Sequence, residues 1–273
     1  MNWKKPGIIL VAVAVFIIPL FYTRQIVYYY DLPKIIILYI LSAGLILTYN
    51  LDKAESKQDS GLLRKIIWIY LGWLFLMTVL SLAPYVSFWG LYGRFQGFLF
   101  YIFSMAFFFT GRWLKEYRQK IIYFILAPAA AAAVISIWEF WNGGYRSSST
   151  MGNPVFLANY LVLTIPLALA FLCQSKKRFI EMLGLIGLFL LVLGLFFTFS
   201  RAGWAGLVII YLLFFIFTGE KNIIKSKKFL LIIVITIFAI GTGFVLIRLQ
   251  PAPKVVKDPG RLNQVLTQTV DMP

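Results

Sequence analysis

The chain has 273 residues, of which 61% are hydrophobic and only 13% charged, whereas soluble domains run nearer half apolar and a quarter charged. Its net charge of +16 comes from Lys and Arg dispersed between apolar runs, not gathered on one soluble face, which argues against a nucleic-acid partner. Histidine is absent and Cys173 is the single cysteine. The chain therefore has no His to act as general base near neutral pH, no Cys/His set for zinc or haem and no intrachain disulfide; no metal and no cofactor are expected.

In chain order, Lys4 and Lys5 precede an apolar run that starts at Gly7. No small-x-small cleavage site follows, and Pro19 with aromatic neighbours occupies that region, so the run is expected to be an uncleaved first helix. A bilayer core of about 30 Å needs roughly 20 apolar residues per helix, and the polar breaks divide the chain into about nine such segments: 7–22, 34–50, 65–82, 96–111, 121–141, 155–173, 182–199, 203–218 and 229–248. Each must be helical, because backbone groups in hydrocarbon need internal partners. The fold class is thus all-α, a polytopic transmembrane helical bundle over residues 1–250, with 251–273 as an outer-face tail. Pro128 and Pro166 fall inside spans, where neighbouring helices can satisfy the freed carbonyls. The small residues 129–133 predict close helix packing. Trp68, Trp89, Trp113, Trp138, Trp141 and Trp204 fall near predicted ends, as an aromatic belt requires. Cys173 is read as an inert small apolar residue.

Basic residues set the orientation. With the N-terminus in the cytoplasm, the inner stretches hold Lys4 and Lys5 and the basic clusters at 53–65, 112–120, 176–178 and 221–228, seventeen of the 26 Lys/Arg; the outer stretches, including Arg24 and Lys34, hold nine. The alternation predicts an N-in, C-out topology.

The outer loops carry the candidate chemistry. Arg94 lies in YGRFQG (92–97), Arg146 in NGGYRSSSTMGNP (142–154) and Arg201 in FSRAGW (199–204). Positive charge on this side runs against the topology rule. A guanidinium fork suits phosphate oxygens, and flanking glycines let backbone N–H groups approach an anion. The alternative for Arg94 and Arg146 is a side chain that snorkels to water or lipid phosphate; Arg201 sits in a hairpin too tight for that freedom. Glu139 is the one acid inside a predicted span, read either as a catalytic or ligand-binding group or as an interfacial partner of an arginine such as Arg146. Asp31, before Pro33, reads as a capping or turn residue.

Three outer-loop stretches, YGRFQGFLFY (92–101), GNPVFLANYLVLTIPLALAF (152–171) and FTFSRAGWAGLVIIYLLFF (197–215), resemble the O-antigen ligase and polymerase superfamily of bacterial envelope glycosyltransferases, in the same order and with whole helices between them. The resemblance covers roughly residues 80–250. It implies a bacterial cytoplasmic-membrane protein in lipopolysaccharide or cell-envelope biosynthesis, which moves a glycan from an undecaprenyl-pyrophosphate carrier to an acceptor on the outer face. It implies Arg201 as the pyrophosphate-binding arginine of a serine-arginine hairpin beside Ser200. Arg94 matches a basic position in an earlier loop, and Gly152 and Asn153 match a Gly-Asn pair. Arg146 is the third candidate for the pyrophosphate, and Glu139 the weak candidate for a catalytic group.

Such ligases continue into a long outer loop that carries a histidine or comparable residue, followed by further helices. Here RLNQVLTQTVDMP (261–273) resembles only the beginning of that loop, so a truncated product, or a protein completed by a separate C-terminal half, is the expectation. Two other functions stay open. One is a transporter, since a subset with this fold has been linked to bicarbonate uptake; the other is a non-catalytic membrane subunit.

Overall fold

The computed structural model describes residues 3–23, 30–53, 62–92, 94–143, 146–174, 177–218 and 227–249. The tail 251–273, Arg24, Lys57, Lys176, Lys221 and Lys225 lie outside them. All regular structure among the described residues is helical: α1 (Lys4–Leu20), α2 (Asp31–Lys53), α3 (Leu62–Val79), α4 (Pro84–Trp89), α5 (Phe98–Trp113), α6 (Arg118–Trp141), α7 (Pro154–Gln174), α8 (Arg178–Phe197), α9 (Arg201–Thr218) and α10 (Lys227–Leu249). Short 3₁₀ turns at Lys115–Tyr117 and Ser149–Met151 lead into α6 and α7.

Each of the nine apolar segments read from the sequence falls on one of these helices, and α4 is additional. Pro84 at its first turn supplies a fixed φ and needs no N–H partner. Five helical stretches are long and apolar enough to cross a membrane: Asp31–Asp52, Lys115–Trp141, Pro154–Gln174, Arg178–Phe197 and Lys228–Leu249. Stretches in α3, α5 and α9 are apolar but shorter. Thr48 bonds back one turn to the Gly44 carbonyl, Thr110 to Ala106 and Thr236 to Ile232, so these three carry no unpaired donor into an apolar environment, whereas the buried Ser42 and Tyr160 hydroxyls have no hydrogen-bond partner among the described residues.

Side-chain bonds sort the helix ends into two groups. At one end, Lys4 pairs with Glu116 at 2.9 Å and the Trp113 indole N–H donates to Asp52 at 2.6 Å. That joins the start of α1, the end of α2 and the α5–α6 turn. Lys228 lies 4.0 Å from Glu181 and donates to the Leu172 carbonyl, joining the start of α10 to the α7–α8 connection. At the other end, the Thr150 hydroxyl donates to the Pro19 carbonyl, Lys34 donates to the Thr150 carbonyl, and the Ser147 N–H donates to the Phe197 carbonyl. These tie the end of α1, the start of α2, the α6–α7 loop and the α8–α9 hairpin. Because α6 runs from the first group to the second, successive long helices alternate in direction. Among the described residues, Lys4, Glu116, Glu181 and Lys228 lie at one end and the stretches that carry Arg94, Arg146 and Arg201 at the other.

Two cores fill the bundle. The larger is built from α6 to α10, with Leu157, Leu161, Ile165, Leu188, Leu195 and Phe197 wholly or almost wholly buried. Backbone meets backbone closely where α6 packs on α8. Ala129, Ala132 and Ala133 have no exposure, a Cβ on Gly194 would stand 2.8 Å from that of Ala133, and the Ser136 hydroxyl donates to the Gly194 carbonyl at 3.1 Å. The close packing expected of residues 129–133 is thus observed; small residues let the backbones approach and gain van der Waals contact. The smaller core holds Val11, Leu45, Trp113 and Leu114. Trp113 therefore departs from the aromatic-belt expectation: it is 5% exposed, because its indole N–H finds a carboxylate inside the bundle. Trp68, Trp89, Trp138 and Trp141 are outward-facing and exposed.

Candidate functional site

The arginine-loop end is organised by three backbone distortions. Apart from glycine, the described residues with positive φ are Phe95, Ser149 and Phe199, one in each of the three loops that carry Arg94, Arg146 and Arg201. Each costs about 1–2 kcal/mol for an L-residue, and such conformations persist where surrounding structure imposes them and cluster at functional sites.

The first loop is pinched at its neck. Gly90 has φ +95°, and a Cβ on Gly97 would fall 2.3 Å from the Gly90 nitrogen, so only glycine fits at the crossing. The crossing closes the base of the loop that carries Arg94. In the second loop, Gly152 has φ +70° and its Cα faces the Tyr30 ring, which a Cβ would meet at 2.2 Å. Asn153 caps α7, its side-chain oxygen accepting from the Val155 N–H at 2.8 Å with Pro154 at the first helical position. The Gly-Asn-Pro sequence thus has a local structural explanation that leaves the amide N–H₂ of Asn153 uncommitted to the cap. In the third, Ser200 caps α9 by accepting from the Gly203 N–H at 3.2 Å, Gly203 packs against Ala158 and Leu195, and the Trp204 ring lies 5.4 Å from that of Phe196. Within SRAGW these contacts account for Ser200, Gly203 and Trp204. Arg201 is left on the first turn of a helix N-terminus, exposed and without a hydrogen bond to any described residue. A cation there opposes the helix dipole.

Glu139, in the last turn of α6, has partners the sequence did not suggest. One carboxylate oxygen accepts from the Ser147 hydroxyl at 2.7 Å, the Ser148 N–H at 3.0 Å and the Ser149 N–H at 2.8 Å. Arg146, the partner expected for it, instead donates from Nε to the Thr198 carbonyl at 3.0 Å. The physical reason is reach: residues 147–149 fold directly over the end of α6, and two otherwise unpaired backbone donors there need an acceptor. Glu139 and Arg146 together clamp the second loop to α6 and to the third loop.

Arg94, Gly152 and Asn153 meet in one cavity of about 370 Å³, also lined by Tyr30, Asp31 and Gln96. Residues from two of the sequence stretches are thereby brought together across some sixty positions. Arg146 and Arg201 do not line it; they belong to the adjoining hairpin and connect to it through the 146–153 segment. The Arg94 guanidinium makes no hydrogen bond to a described residue, while Asp31 shares the cavity with it. Lys34 was read only as an outer-face cation, yet it supports the cavity from behind by donating to the Thr150 carbonyl at 2.6 Å and lying 3.6 Å from the Met151 sulfur. The one sequence signal for Asp31 and Lys34 was two charges close together on the side where charge is scarce. Chemically, the cavity offers a guanidinium, amide donors and a carboxylate at the mouth of an apolar bundle, a set suited to an anionic headgroup.

No protein-family model, curated protein or solved structure matches this chain.

Proposed function

We propose that this chain is an O-antigen ligase-like protein of a bacterial cytoplasmic membrane. In this reading it crosses the bilayer about nine times, N-terminus inside and C-terminus outside. It engages an undecaprenyl-pyrophosphate-linked glycan at the outer face and serves transfer of that glycan to an acceptor. The observation that carries the reading is the cavity shared by Arg94 and the Gly152–Asn153 pair, at the end of the bundle opposite Lys4, Glu116 and Lys228.

The chemistry is consistent with that geometry. Transfer from the carrier breaks the bond between the sugar's anomeric carbon and the pyrophosphate oxygen, and negative charge grows on the pyrophosphate as it leaves. Fixed guanidinium groups in a poorly hydrated site stabilise that charge without reorganising, and removal of one such donor costs about 10²–10³ in rate. The Gly90–Gly97 neck fixes the backbone that carries Arg94 and the Ser200 cap the backbone that carries Arg201, so each guanidinium is ordered by the ligand it meets. Arg201 at a helix N-terminus also makes sense as half of an anion site, since the adjoining backbone N–H groups favour the same ligand.

The test is Arg201→Ala and Arg94→Ala in the native host, with surface glycan assembly and solute uptake followed in parallel. Glycan assembly is expected to fall at least tenfold for each, with uptake unchanged. Loss of uptake with intact glycan would support the transporter instead, and no change in either would leave a non-catalytic membrane subunit.

A further inference from the structure

Among the described residues that line the cavity of Arg94, one is an acid, Asp31. An acid in a site for an anionic ligand opposes the binding it surrounds. The other described acids are all engaged. Asp52 accepts from the Trp113 indole, Glu116 pairs with Lys4, Glu181 lies 4.0 Å from Lys228, and Glu139 accepts from three donors with one oxygen. The half-buried Asp31 carboxylate has neither a hydrogen bond nor an ion pair to a described residue. Lys34, one turn along α2, is the nearest counter-ion in sequence, yet its ammonium donates to the Thr150 carbonyl at 2.6 Å. Arg94 shares the cavity with Asp31 without forming an ion pair with it. A cation and an anion that face one cavity and stay apart leave both side chains open to a ligand.

The residues around Asp31 fix where it stands. The Tyr30 ring lies against Gly152, and Lys34 ties the first turn of α2 to Thr150 and Met151. Asp31 is thereby held, from both sides, to the same stretch that brings Asn153 to the cavity. An acid in the first turn of a helix also favours the helix dipole, but that role needs neither a cavity nor Arg94. We propose that Asp31, unpaired in the cavity of Arg94 and Asn153, is the general base that takes the proton of the acceptor hydroxyl. This rests on the proposed function, in which the carrier's pyrophosphate lies at Arg94. As the acceptor oxygen bonds to the anomeric carbon, its proton passes to a carboxylate oxygen of Asp31. The bond from the anomeric carbon to the pyrophosphate oxygen breaks, and its electron pair leaves with the pyrophosphate. Asp31 is neutralised as the leaving group gains charge, which removes the repulsion between them. Glu139 is the poorer base: its Oε2 already accepts from three donors, and it does not line the cavity.

The experiment places Asp31→Asn, Asp31→Glu and Asp31→Ala in the native host, where surface glycan assembly is measured. The same full-length variants in nanodiscs are measured for polyprenyl diphosphate binding and thermal unfolding. Asparagine serves a helix start about as well as aspartate, so Asp31→Asn removes the base and keeps the local fold. Glycan assembly is expected to fall about 100-fold or more, the smaller contribution of a positioned general base, while the diphosphate binds at least as tightly as before. Asp31→Glu, still a carboxylate, is expected to retain about tenfold more assembly than Asp31→Asn. Azide is a nucleophile with no proton to remove. Added to host membranes that carry Asp31→Ala and the carrier-linked glycan, it is expected to yield the glycosyl azide and free polyprenyl diphosphate, and far less of both with the unaltered protein. Assembly that survives Asp31→Asn but is abolished by Arg94→Ala would overturn the base and leave the transferase standing. A loss matched by an equal fall in diphosphate binding or in melting temperature, with no glycosyl azide, would reduce Asp31 to a helix-stabilising acid and overturn the base. Assembly untouched by Asp31→Asn, Arg94→Ala and Arg201→Ala alike would sink the transferase and the base together.

Discussion

The two halves of the bundle solve different problems. From α6 to α10 the helices close on one another through alanine, glycine and leucine until whole side chains such as Leu161 and Phe197 lose all exposure. From α1 to α5 the core shrinks to Val11, Leu45, Trp113 and Leu114, and a groove remains between α2, α3 and α5. The dense half carries the loops of Arg146 and Arg201 on a rigid base, clamped by Glu139 and the Ser147–Phe197 backbone bond. The loose half carries Arg94 and that groove. A site built across such a seam can fix its donors on one side and admit a large flexible ligand from the other.

The largest expected difference between the halves is in how each responds to loss of an acid. Glu139→Ala strips the acceptor from three donors, two of them backbone N–H groups, and is expected to cost about 4–5 kcal/mol, since bonds to a charged group contribute about 1.5–3 kcal/mol apiece and these three share one oxygen, which holds the total to the low end. Asp52→Ala frees one donor, the Trp113 indole N–H, and is expected to cost about 1.5–2 kcal/mol, the low end of the range for one bond to a charged group. Thermal unfolding of the purified variants in one detergent compares them directly; equal losses would show that the Glu139 clamp is no more demanding than the Asp52–Trp113 pair.

A smaller effect has opposite signs in the two halves. Gly194→Ala sets a Cβ 2.9 Å from the Cα of Ala133, a backbone atom that cannot swing aside, and overpacking of this kind costs about 1–3 kcal/mol. Gly72→Ala meets nothing within 4 Å and is expected to stabilise α3 by about 0.5–1 kcal/mol, the helix preference for alanine over glycine. The same melting assay reads both, and a destabilising Gly72→Ala would mean that α3 packs more closely than the groove allows.

Much of the fold was legible because apolar runs and basic breaks are local signals: each of the nine segments coincides with a helix, with ends displaced by a few residues. What was missed depends on contacts between distant positions. Six residues starting at Pro84 are too few to show a helical period, so α4 was invisible. Nothing in the sequence says that Thr150 lies beside Lys34, 116 positions away, or that the Tyr30 ring occupies the space where Gly152 lacks a side chain. Glu139 was recognised as unusual, but its serine-loop partners could not be guessed, because backbone N–H groups have no sequence signature. For the candidate site, the residue types were legible and the grouping was not: Arg94 meets Gly152 and Asn153, whereas Arg146 and Arg201 stand in the neighbouring hairpin.

The most direct test of the central claim is binding of a polyprenyl diphosphate to the purified chain in nanodiscs, with Arg94→Ala, Arg201→Ala and Asp31→Asn compared against the unaltered protein. If the arginine loops form a pyrophosphate site, each arginine variant weakens binding about tenfold or more, while Asp31→Asn, which removes the carboxylate that competes for Arg94, tightens it. Affinity that is unchanged by all three substitutions would contradict the account.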